Sequence, residues 1–527
     1  MVPYLKKTGT PNPSITPAPG GPGRTPAGAN SRRPRRWLWR TVAAATALVL
    51  LFAAVIAGNT LRLRSRQVAV TPAPPLAIDM QAAAERLAGG LRVQTISYDG
   101  RPPAQQDLER FHSYLAAQFP LTHKTLRRET VNAGSLLYTW PGRSPGAMPI
   151  LLMAHQDVAP IAPGTESQWR HAPFAGKIAD GYVWGRGAMD DKGSLLAVME
   201  AVERLVAEGF QPPRTIYLAF GHDEETGPTF GQEGARRIAQ LLKARGVRLE
   251  FVLDEGLVIT QGIMKGMQAP LALIGVAEKG FMTLKLSSYA ESGHSSMPPA
   301  RTAIGSLAAA LARLEREPMP ATINPVVREM LETMAPELGG ANRVALSNLW
   351  LFEPFVRRQL GASPGSAAML RTTTALTVMH AGEKVSVLPG RADAHVNFRL
   401  LPGDSRERVI EHTRRVIADE SIEMQAAGWE ASLVSRTDSP AYALISRTTR
   451  EVFAGIVVAP GLVTGGTDSH HYVEVANNIY RLAPVRCGPE DLARFHGTDE
   501  RLSIANYEEM IRFYHRLLGG ASAAAGR

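Results

Sequence analysis

The stretch KGSLLAVMEAVERLVAEGFQPPRTIYLAFGHDEETG, residues 192–227, decides the fold class of this chain. Its first half carries apolar residues at helical spacing, and TIYLAF at 215–220 is a short apolar run typical of a buried strand. Similar runs lie on either side, PILLMA at 149–154 and LEFVL at 249–253. Strand, helix, strand, helix and strand predict an α/β fold, in which a mostly parallel sheet is covered by helices.

The run at 215–220 is followed by three consecutive carboxylates, Asp223, Glu224 and Glu225, with no Lys or Arg beside them. Two carboxylates about 5 Å apart repel each other by roughly 3 kcal/mol at an effective dielectric constant near 20. An acidic turn in water tolerates this repulsion, and a bound cation would cancel it. The stretch alone does not decide between the two.

The other two predicted strands also end in residues that commonly bind metals. PILLMA runs into His155 and Asp157, and LEFVL runs into Asp254 and Glu255. Sites in open α/β sheets form beyond the carboxyl ends of the strands. Singly, His155 is explained as a core histidine and the Asp254–Glu255 pair as an exposed turn. Three strands ending in the same way instead predict one cation site.

A fourth cluster, GRGAMDDKG at 185–193, places Asp190 and Asp191 just before the predicted helix, where an Asp also serves as an N-cap. The chain has one cysteine, so an intramolecular disulfide and a thiolate zinc finger are both excluded. His, Asp and Glu ligands without Cys favour zinc, with manganese or cobalt as substitutes. Residues two apart in an extended segment point the same way, so Asp157 can accept the second N–H of His155.

The positive net charge of +10 belongs to the N-terminus. Residues 1–66 carry 11 of the 58 Lys and Arg and no Asp or Glu, which leaves 47 basic and 48 acidic residues in the rest of the chain. A folded body without excess positive charge argues against nucleic acid as a partner.

The N-terminus predicts a membrane anchor. Residues 1–36 form a basic, Pro- and Gly-rich tail that we expect to be disordered, and 37–61 form an apolar segment long enough to span a bilayer. A cleaved signal peptide and a buried helix are the alternatives. The larger arginine cluster precedes the segment, which predicts a cytoplasmic N-terminus and an extracytoplasmic body, periplasmic in a bacterium. Residues 67–79 are interpreted as a linker containing a short stiff stalk.

The folded body divides into a catalytic domain and an inserted block. We expect the catalytic domain to comprise 80–281 and 436–520, and a lid of antiparallel strands with helices on one face to comprise 282–435. Within the lid, the Pro-rich segment 317–370 is interpreted as an irregular insertion.

Six motifs occur in an order and spacing that resemble those of the di-zinc amidohydrolases that include carboxypeptidase S, aminoacylase and glutamate carboxypeptidase. They are LLMAHQDVAP, WGRGAMDDKGSL, GHDEETG, VLDEG, SGHSSMPP and FHGTDE. AEKG, LSNLWLFEP and RTTTALT are most similar to the branch of N-fatty-acyl-amino-acid synthase/hydrolases and carboxypeptidase S. The resemblance covers roughly residues 80–520. It implies a zinc-aminopeptidase-like α/β/α sandwich with an inserted ferredoxin-like α+β domain that serves as lid and dimerisation surface.

The resemblance also implies a role for each residue of the site. Two zinc ions would be bridged by Asp190, with one completed by His155 and Asp254 and the other by Glu225 and His496. Asp157 would orient the metal ligand His155, and Glu224 would be the general base.

Further residues would contact the substrate. The resemblance implies that His294 approaches the scissile carbonyl, while Arg399 and the turn of Gly465, Gly466 and Thr467 hold a substrate carboxylate. Ser386 stands where relatives usually have Asn, which puts a substrate contact there in doubt.

The resulting hypothesis is a membrane-anchored di-zinc hydrolase that cleaves N-acyl amino acids or short peptides next to a free carboxylate. A dipeptidase or short-chain aminoacylase is the alternative, and a membrane-tethered binding protein without catalysis is a more remote one. We also expect a homodimer through the lid domain.

Overall fold

The computed structural model describes residues 35–227, 233–264 and 266–523. The disorder predicted for the N-terminal tail therefore lies outside the described residues, apart from the last two positions of that tail. Contacts between Cα atoms divide the chain into two units, Met1–Ala57 and Gly58–Arg527.

The apolar N-terminal segment forms one long helix, α1 (Arg35–Arg62), of 28 residues. A helix of this length is about 42 Å long, against a hydrocarbon core of about 30 Å. Its part from Trp37 to Arg62 is long and apolar enough to cross a membrane, a property that signal sequences share.

The remaining helices cover the sheets and build the insertion. They are α2 (Met80–Leu91), α3 (Gln105–Gln118), α4 (Pro120–Thr125), α5 (Lys192–Ala207), α6 (Glu233–Ala244), α7 (Ala303–Arg316), α8 (Pro325–Met334), α9 (Gly340–Ser347), α10 (Leu349–Leu360), α11 (Pro364–Ala368), α12 (Arg406–Ile417), α13 (Pro440–Val452) and α14 (Ile504–Ala523).

The strands form two larger sheets and two small ones. They are β1 (Arg127–Val131), β2 (Ser135–Trp140), β3 (Ile150–His155), β4 (Lys177–Ala179), β5 (Tyr182–Trp184), β6 (Ile216–Gly221), β7 (Leu249–Asp254), β8 (Ile259–Thr260), β9 (Leu271–Glu278), β10 (Gly280–Tyr289), β11 (Gly293–His294), β12 (Thr373–Ala381), β13 (Val387–Leu388), β14 (Arg391–Leu400), β15 (Glu423–Trp429), β16 (Val457–Val463), β17 (Ala476–Arg481), β18 (Arg486–Cys487) and β19 (Arg501–Ser503).

The largest sheet has ten strands in the order β1-β2-β6-β3-β7-β17-β9-β8-β18, with β16 paired to β9. Its centre, β6-β3-β7-β17, is parallel, as the sequence predicts. The sheet is mixed because β1 and β2 add an antiparallel hairpin at one edge and β9 pairs antiparallel with β17 and β8. Positive φ at Asn132 and Ala133, which tight hairpin turns require, closes that hairpin.

Helices lie on both faces of this sheet. On β3, Leu152 and Ala154 belong to the larger core with α5 and α14, whereas Leu151 and Met153 face the smaller core that includes Ile238 of α6. A strand buried on both faces explains why PILLMA is apolar without alternation. Strands from the predicted segments 80–281 and 436–520 lie in this one sheet, and the division into domains stays a prediction.

The second larger sheet has four antiparallel strands in the order β12-β14-β10-β15. Along the chain these strands alternate with α7 and α12, the connectivity of a ferredoxin-like split βαβ unit. Met282, Leu284 and Leu286 of β10 are buried with Leu307 of α7 and Val409 of α12. The predicted antiparallel sheet with packed helices is therefore present.

The insertion 317–370 is helical, so the prediction of irregular structure was wrong. Two of its prolines start helices, and Pro354 lies inside α10. Pro325 and Pro364 occupy the first positions of α8 and α11, where a missing N–H has no cost, and the side chains of Asn324 and Ser363 cap the same helices.

The predicted linker 67–79 contains no helix or strand, yet it is fixed to the body. The side chain of Gln67 donates to Val458 O and accepts from Val458 N, both at 2.8 Å. Ala73 N donates to Glu451 O at 2.7 Å. These residues therefore do not form a stalk that is free of the folded body.

Candidate metal centre

Three neighbouring parallel strands bring their carboxyl ends to one edge of the large sheet. His155 of β3 pairs in register with Gly221 of β6, and Leu152 of β3 pairs with Leu253 of β7. The residues that follow these strands therefore converge, because parallel strands all end at the same edge.

Two groups of ligand-type side chains meet at this edge. Within each, one ligand atom per residue lies within 4.8 Å of the others, and the groups are His155, Asp190 and Glu255, and Asp190, Glu225 and His496. Asp190 belongs to both, since its Oδ1 is 3.0 Å from His155 Nε2 and its Oδ2 is 3.1 Å from His496 Nε2. Glu225 Oε1 lies 3.0 Å from the same nitrogen of His496. One carboxylate with an oxygen turned to each group has the arrangement of a bridging ligand.

The structure corrects the assignment of Asp254, whose place in the first group is taken by Glu255. Asp254 is buried as the last residue of β7, and its Oδ2 accepts a hydrogen bond from Ser469 N at 3.0 Å. Glu255 Oε1 lies 4.0 Å from His155 Nε2. Consecutive residues of an extended chain point to opposite sides, so only one of two adjacent carboxylates can face His155.

The charge of the site favours a cation. Burial raises the pKa of Glu255 well above its usual range, and neighbouring Asp190 and Asp191 raise it further. Burial and the charge of Asp190 likewise raise the pKa of Glu225, against its hydrogen bond with His496. Hydrogen bonds with Asp190 and Glu225 raise the pKa of His496 to about 10. Without a metal, bound protons must neutralise the negative charge of these carboxylates. A divalent cation can neutralise the same charge.

Asp157 lies behind His155 and holds the carboxylate loop. His155 Nδ1 is 3.0 Å from the backbone oxygen of Asp157 and 3.4 Å from its Oδ1. Asp157 Oδ2 accepts from Ser97 Oγ at 2.6 Å and from Glu225 N at 2.9 Å. Burial opposes ionisation of Asp157, but the hydrogen bonds from His155 and Ser97 outweigh it and lower its pKa. Asp157 thus lies behind the imidazole, and its role in orienting His155 stays a prediction.

Glu224 begins the short 3-10 turn after β6, next to Glu225. Burial raises its pKa well above the usual range, and the negative charges of Glu225 and Asp157 add to this effect. Asp223 accepts hydrogen bonds from Gly234 N at 3.1 and 3.2 Å. The three carboxylates thus differ in environment, and Asp223 is tied to the start of α6.

A buried ion pair connects the two loops that supply Asp190 and His496. Arg186 Nη1 lies 2.7 Å from Glu500 Oε2, and the two side chains are 2% and 0% exposed. Glu500 Oε1 accepts from Met189 N at 2.8 Å and from Asp190 N at 3.2 Å. Arg186 Nη2 donates to the carbonyl oxygen of His496 at 3.0 Å. Sequence reasoning missed this pair, although both members lie inside quoted motifs.

Arg399 lies between an aromatic ring and the predicted carboxylate-binding turn. Its guanidinium carbon is 4.9 Å from the ring centre of Phe281, its register partner on β10. A Cβ on Gly466 would lie 3.7 Å from Arg399 Nη1, so the two predicted contacts are adjacent. Burial lowers the pKa of Arg399, and the carboxylates of Glu224 and Glu278 oppose the shift. Arg399 is therefore within electrostatic reach of the metal centre.

The other residues of that turn are engaged within the chain. Thr467 donates from N at 3.0 Å and from Oγ1 at 3.2 Å to Glu278 Oε2, which also receives Arg481 Nε at 3.0 Å. Gly465 is exposed. The hydrogen bonds of Thr467 fix the shape of the turn that presents Gly466.

The structure does not bring His294 to the metal centre. His294 is exposed on β11, and its Nδ1 lies 2.7 Å from Ser296 Oγ. Ser386 lies beside this turn, because its carbonyl accepts from Ser295 N at 3.1 Å. The expected approach of His294 to a scissile carbonyl stays a prediction.

Comparison with known proteins places these features in a family. The model of peptidase family M20/M25/M40 matches residues 151–519. The chain is 40% identical over 476 residues to a probable carboxypeptidase S-like protein of Dictyostelium discoideum, covering 87% of this chain and 90% of that one. It is 39% identical over 439 residues to an N-fatty-acyl-amino acid synthase/hydrolase of Xenopus tropicalis, covering 82% and 85%.

Among solved structures, an M20 family metallo-carboxypeptidase of Sulfolobus solfataricus has a similar fold. The TM-score is 0.63 at 16% identity, with 85% of this chain and all of that chain covered. At that level of identity the likeness concerns the fold alone.

Proposed function

Because the chain belongs to peptidase family M20/M25/M40, whose members are metal-dependent hydrolases, we propose that it hydrolyses an amide bond next to a free carboxylate at a two-zinc centre. The observation that carries the proposal is the shared position of Asp190, which turns one oxygen to each of two ligand groups. The proposed ligands are His155, Asp190, Glu225, Glu255 and His496.

The donor set fits such a pair of ions. Two imidazoles and three carboxylates offer nitrogen and oxygen ligands, and none of the five is a Lys or Arg. Zinc accepts this mixture readily, and manganese or cobalt can substitute for it. When bound, a pair of divalent ions lowers the pKa of water and stabilises negative charge on the reacting carbonyl.

Glu224 is the proposed general base. Its neighbour Glu225 faces His496, which leaves Glu224 to take a proton from the attacking water and return it to the leaving nitrogen. A carboxyl whose pKa is raised by burial suits both steps, because it must accept a proton and then give it up.

Arg399 and Gly466 are proposed to hold the substrate carboxylate. A guanidinium binds a carboxylate through two parallel hydrogen bonds, and Gly466 leaves room beside Nη1 because it has no side chain. A carboxylate held there would select substrates whose scissile amide lies next to a free carboxylate.

N-acyl amino acids are the proposed substrate class, with short peptides as the second candidate. The name of the Xenopus tropicalis relative favours fatty-acyl amino acids. The name of the Dictyostelium discoideum relative favours peptides with a free C-terminus. A dipeptidase or short-chain aminoacylase stays an alternative. A binding protein without catalysis is disfavoured because Glu224 and the five ligand-type residues are present.

Hydrolysis rates of the purified full chain test this assignment. We expect rates to rise with acyl chain length across a series of N-acyl amino acids and to exceed those for dipeptides. Higher rates for dipeptides and N-acetyl amino acids would favour the alternative, and no hydrolysis in the presence of zinc would contradict the proposed function.

We further propose that α1 is a membrane anchor with the N-terminus in the cytoplasm and the catalytic domain outside it, in the periplasm of a bacterium. Five arginines in 32–40 precede the uncharged run 41–61 and three follow it, an asymmetry that supports this orientation. A reporter fused after Arg527 should be active only on the far side of the membrane. A soluble form beginning near Gly58 would instead favour a cleaved signal peptide.

The four-stranded sheet and its helices are proposed to act as the lid and as the surface of a homodimer. Support comes from β12, whose central residues are exposed at the sheet edge and include Leu376, Val378 and Met379. An exposed apolar edge strand can pair with a second copy. A monomeric mass of the active protein in detergent would contradict the dimer.

A further inference from the structure

Helix α10 of the insertion has one face in the core and one face rich in exposed aromatic groups. Leu349 and Val356 are buried in the core of the insertion. On the opposite arc, Trp350 and Phe355 are 58% and 55% exposed. Arg358 is exposed on the same arc. Aromatic rings combined with arginine on one helix face are typical of helices that lie in a membrane interface.

The start of α10 is fixed to the last turn of α1 and the residue that follows it. Asn59 Nδ2 donates to Asn348 Oδ1 at 2.9 Å, and Asn348 Nδ2 donates to Thr60 Oγ1 at 3.2 Å. Asn348 is fully buried in these contacts. Arg343 Nη2 donates to Leu63 O at 3.1 Å. Residues 59–63 therefore have a defined place against α9 and α10.

The same residues mark the end of the apolar segment. Leu61 is its last apolar residue, and Arg62, Arg64 and Arg66 follow. If α1 spans the bilayer, this change from apolar to basic residues lies at the boundary between lipid and water. Trp350 follows Asn348 by two residues, at most about 7 Å along the chain. The aromatic face of α10 is thus brought to the level of the headgroups. The headgroup layer is roughly 5–8 Å thick on each side of the hydrocarbon core.

We propose that the face of α10 formed by Trp350, Phe355 and Arg358 lies in the headgroup region of the bilayer that α1 spans. This second, non-spanning contact fixes the orientation of the body on the membrane. The inference rests on the anchor proposed above and adds a lipid surface as the partner of the insertion.

Charge favours a bilayer over a second copy as the occupant. The last turn of α10 carries Arg357 and Arg358, and at the attached end Arg62 closes α1 and Arg64 follows it. Anionic headgroups attract such a cluster by about 1 kcal/mol per basic residue. In a symmetric contact between two copies the same patch would meet itself, so the like charges would repel.

Site-directed spin labelling of the full chain in vesicles tests this contact. The single native cysteine, Cys487, is 1% exposed, so Phe355→Cys provides one accessible thiol. In vesicles of phosphatidylcholine and phosphatidylglycerol, the label should be relaxed more by oxygen than by a water-soluble nickel chelate. Leu433→Cys, 80% exposed in the loop after β15, is the matched control and should show the reverse ratio. Gln359→Cys, one turn further along α10, reports on the same helix if Phe355→Cys does not fold.

Three results would overturn the inference. Preferential relaxation by the nickel chelate at Phe355→Cys, in protein that resists alkaline extraction, would leave the anchor intact and refute the α10 contact. Protein released by alkaline extraction would refute the anchor and the contact together. Shielding from both reagents with spin–spin broadening would identify a second copy as the occupant.

Discussion

Replacing Arg186 by methionine removes the positive charge of a pair that lies almost wholly out of solvent. Glu500 would remain as a buried carboxylate, and breaking a buried pair in this way costs about 3–5 kcal/mol. We expect the lower end, about 3 kcal/mol, because Met189 N and Asp190 N still donate to Glu500.

The same substitution should weaken metal binding. Arg186 holds the carbonyls of His496 and Gly497 at 3.0 and 3.1 Å, so its loss frees the loop that presents the His496 imidazole. Removing a group that orients a ligand typically lowers metal affinity by about 10- to 100-fold.

Denaturant unfolding of metal-depleted protein in detergent, followed by tryptophan fluorescence, measures the first effect without the contribution of bound metal. Competition with a chelator measures the second. Arg436→Met, which breaks an exposed pair with Asp438, is the control and should change neither. The double variant Arg186→Met with Glu500→Gln should regain stability but not metal affinity. If Arg186→Met unfolds at the wild-type denaturant concentration and keeps its metal, the pair does not support the site.

Five further substitutions, in three comparisons, separate the roles within the site. Glu224→Gln should keep its metal and lose about 10²–10⁴-fold in turnover, the usual contribution of general acid–base catalysis. Asp223→Asn should keep turnover but lose stability, because it weakens the hydrogen bond with Gly234 N. Glu255→Gln should lower metal affinity, whereas Asp254→Asn should not; the opposite result, measured by chelator competition, would restore Asp254 as the ligand. Arg399→Gln should lower kcat/KM on the order of 10²-fold, about 3 kcal/mol, for carboxylate substrates and leave the slow hydrolysis of their amides unchanged; equal losses for both would remove Arg399 from carboxylate binding.

The centre of the fold could be predicted because buried parallel strands are continuous apolar runs, as in β3, and metal-type residues at their ends are visible in the sequence. The choice between Asp254 and Glu255 could not, since it depends on which of two adjacent side chains faces His155. The pairing of Arg186 with Glu500 joins residues more than 300 positions apart and has no local pattern. The helices of the insertion were not predicted because the segment is rich in proline, although Pro325 and Pro364 stand at first helical positions, where proline is tolerated.

Metal analysis of the purified, active protein tests the central claim most directly. The shared position of Asp190 predicts two ions per chain, complete loss of activity on exhaustive chelation and recovery with zinc. A reproducible content of one ion per chain in fully active protein would contradict the bridging role of Asp190 and the two-metal centre.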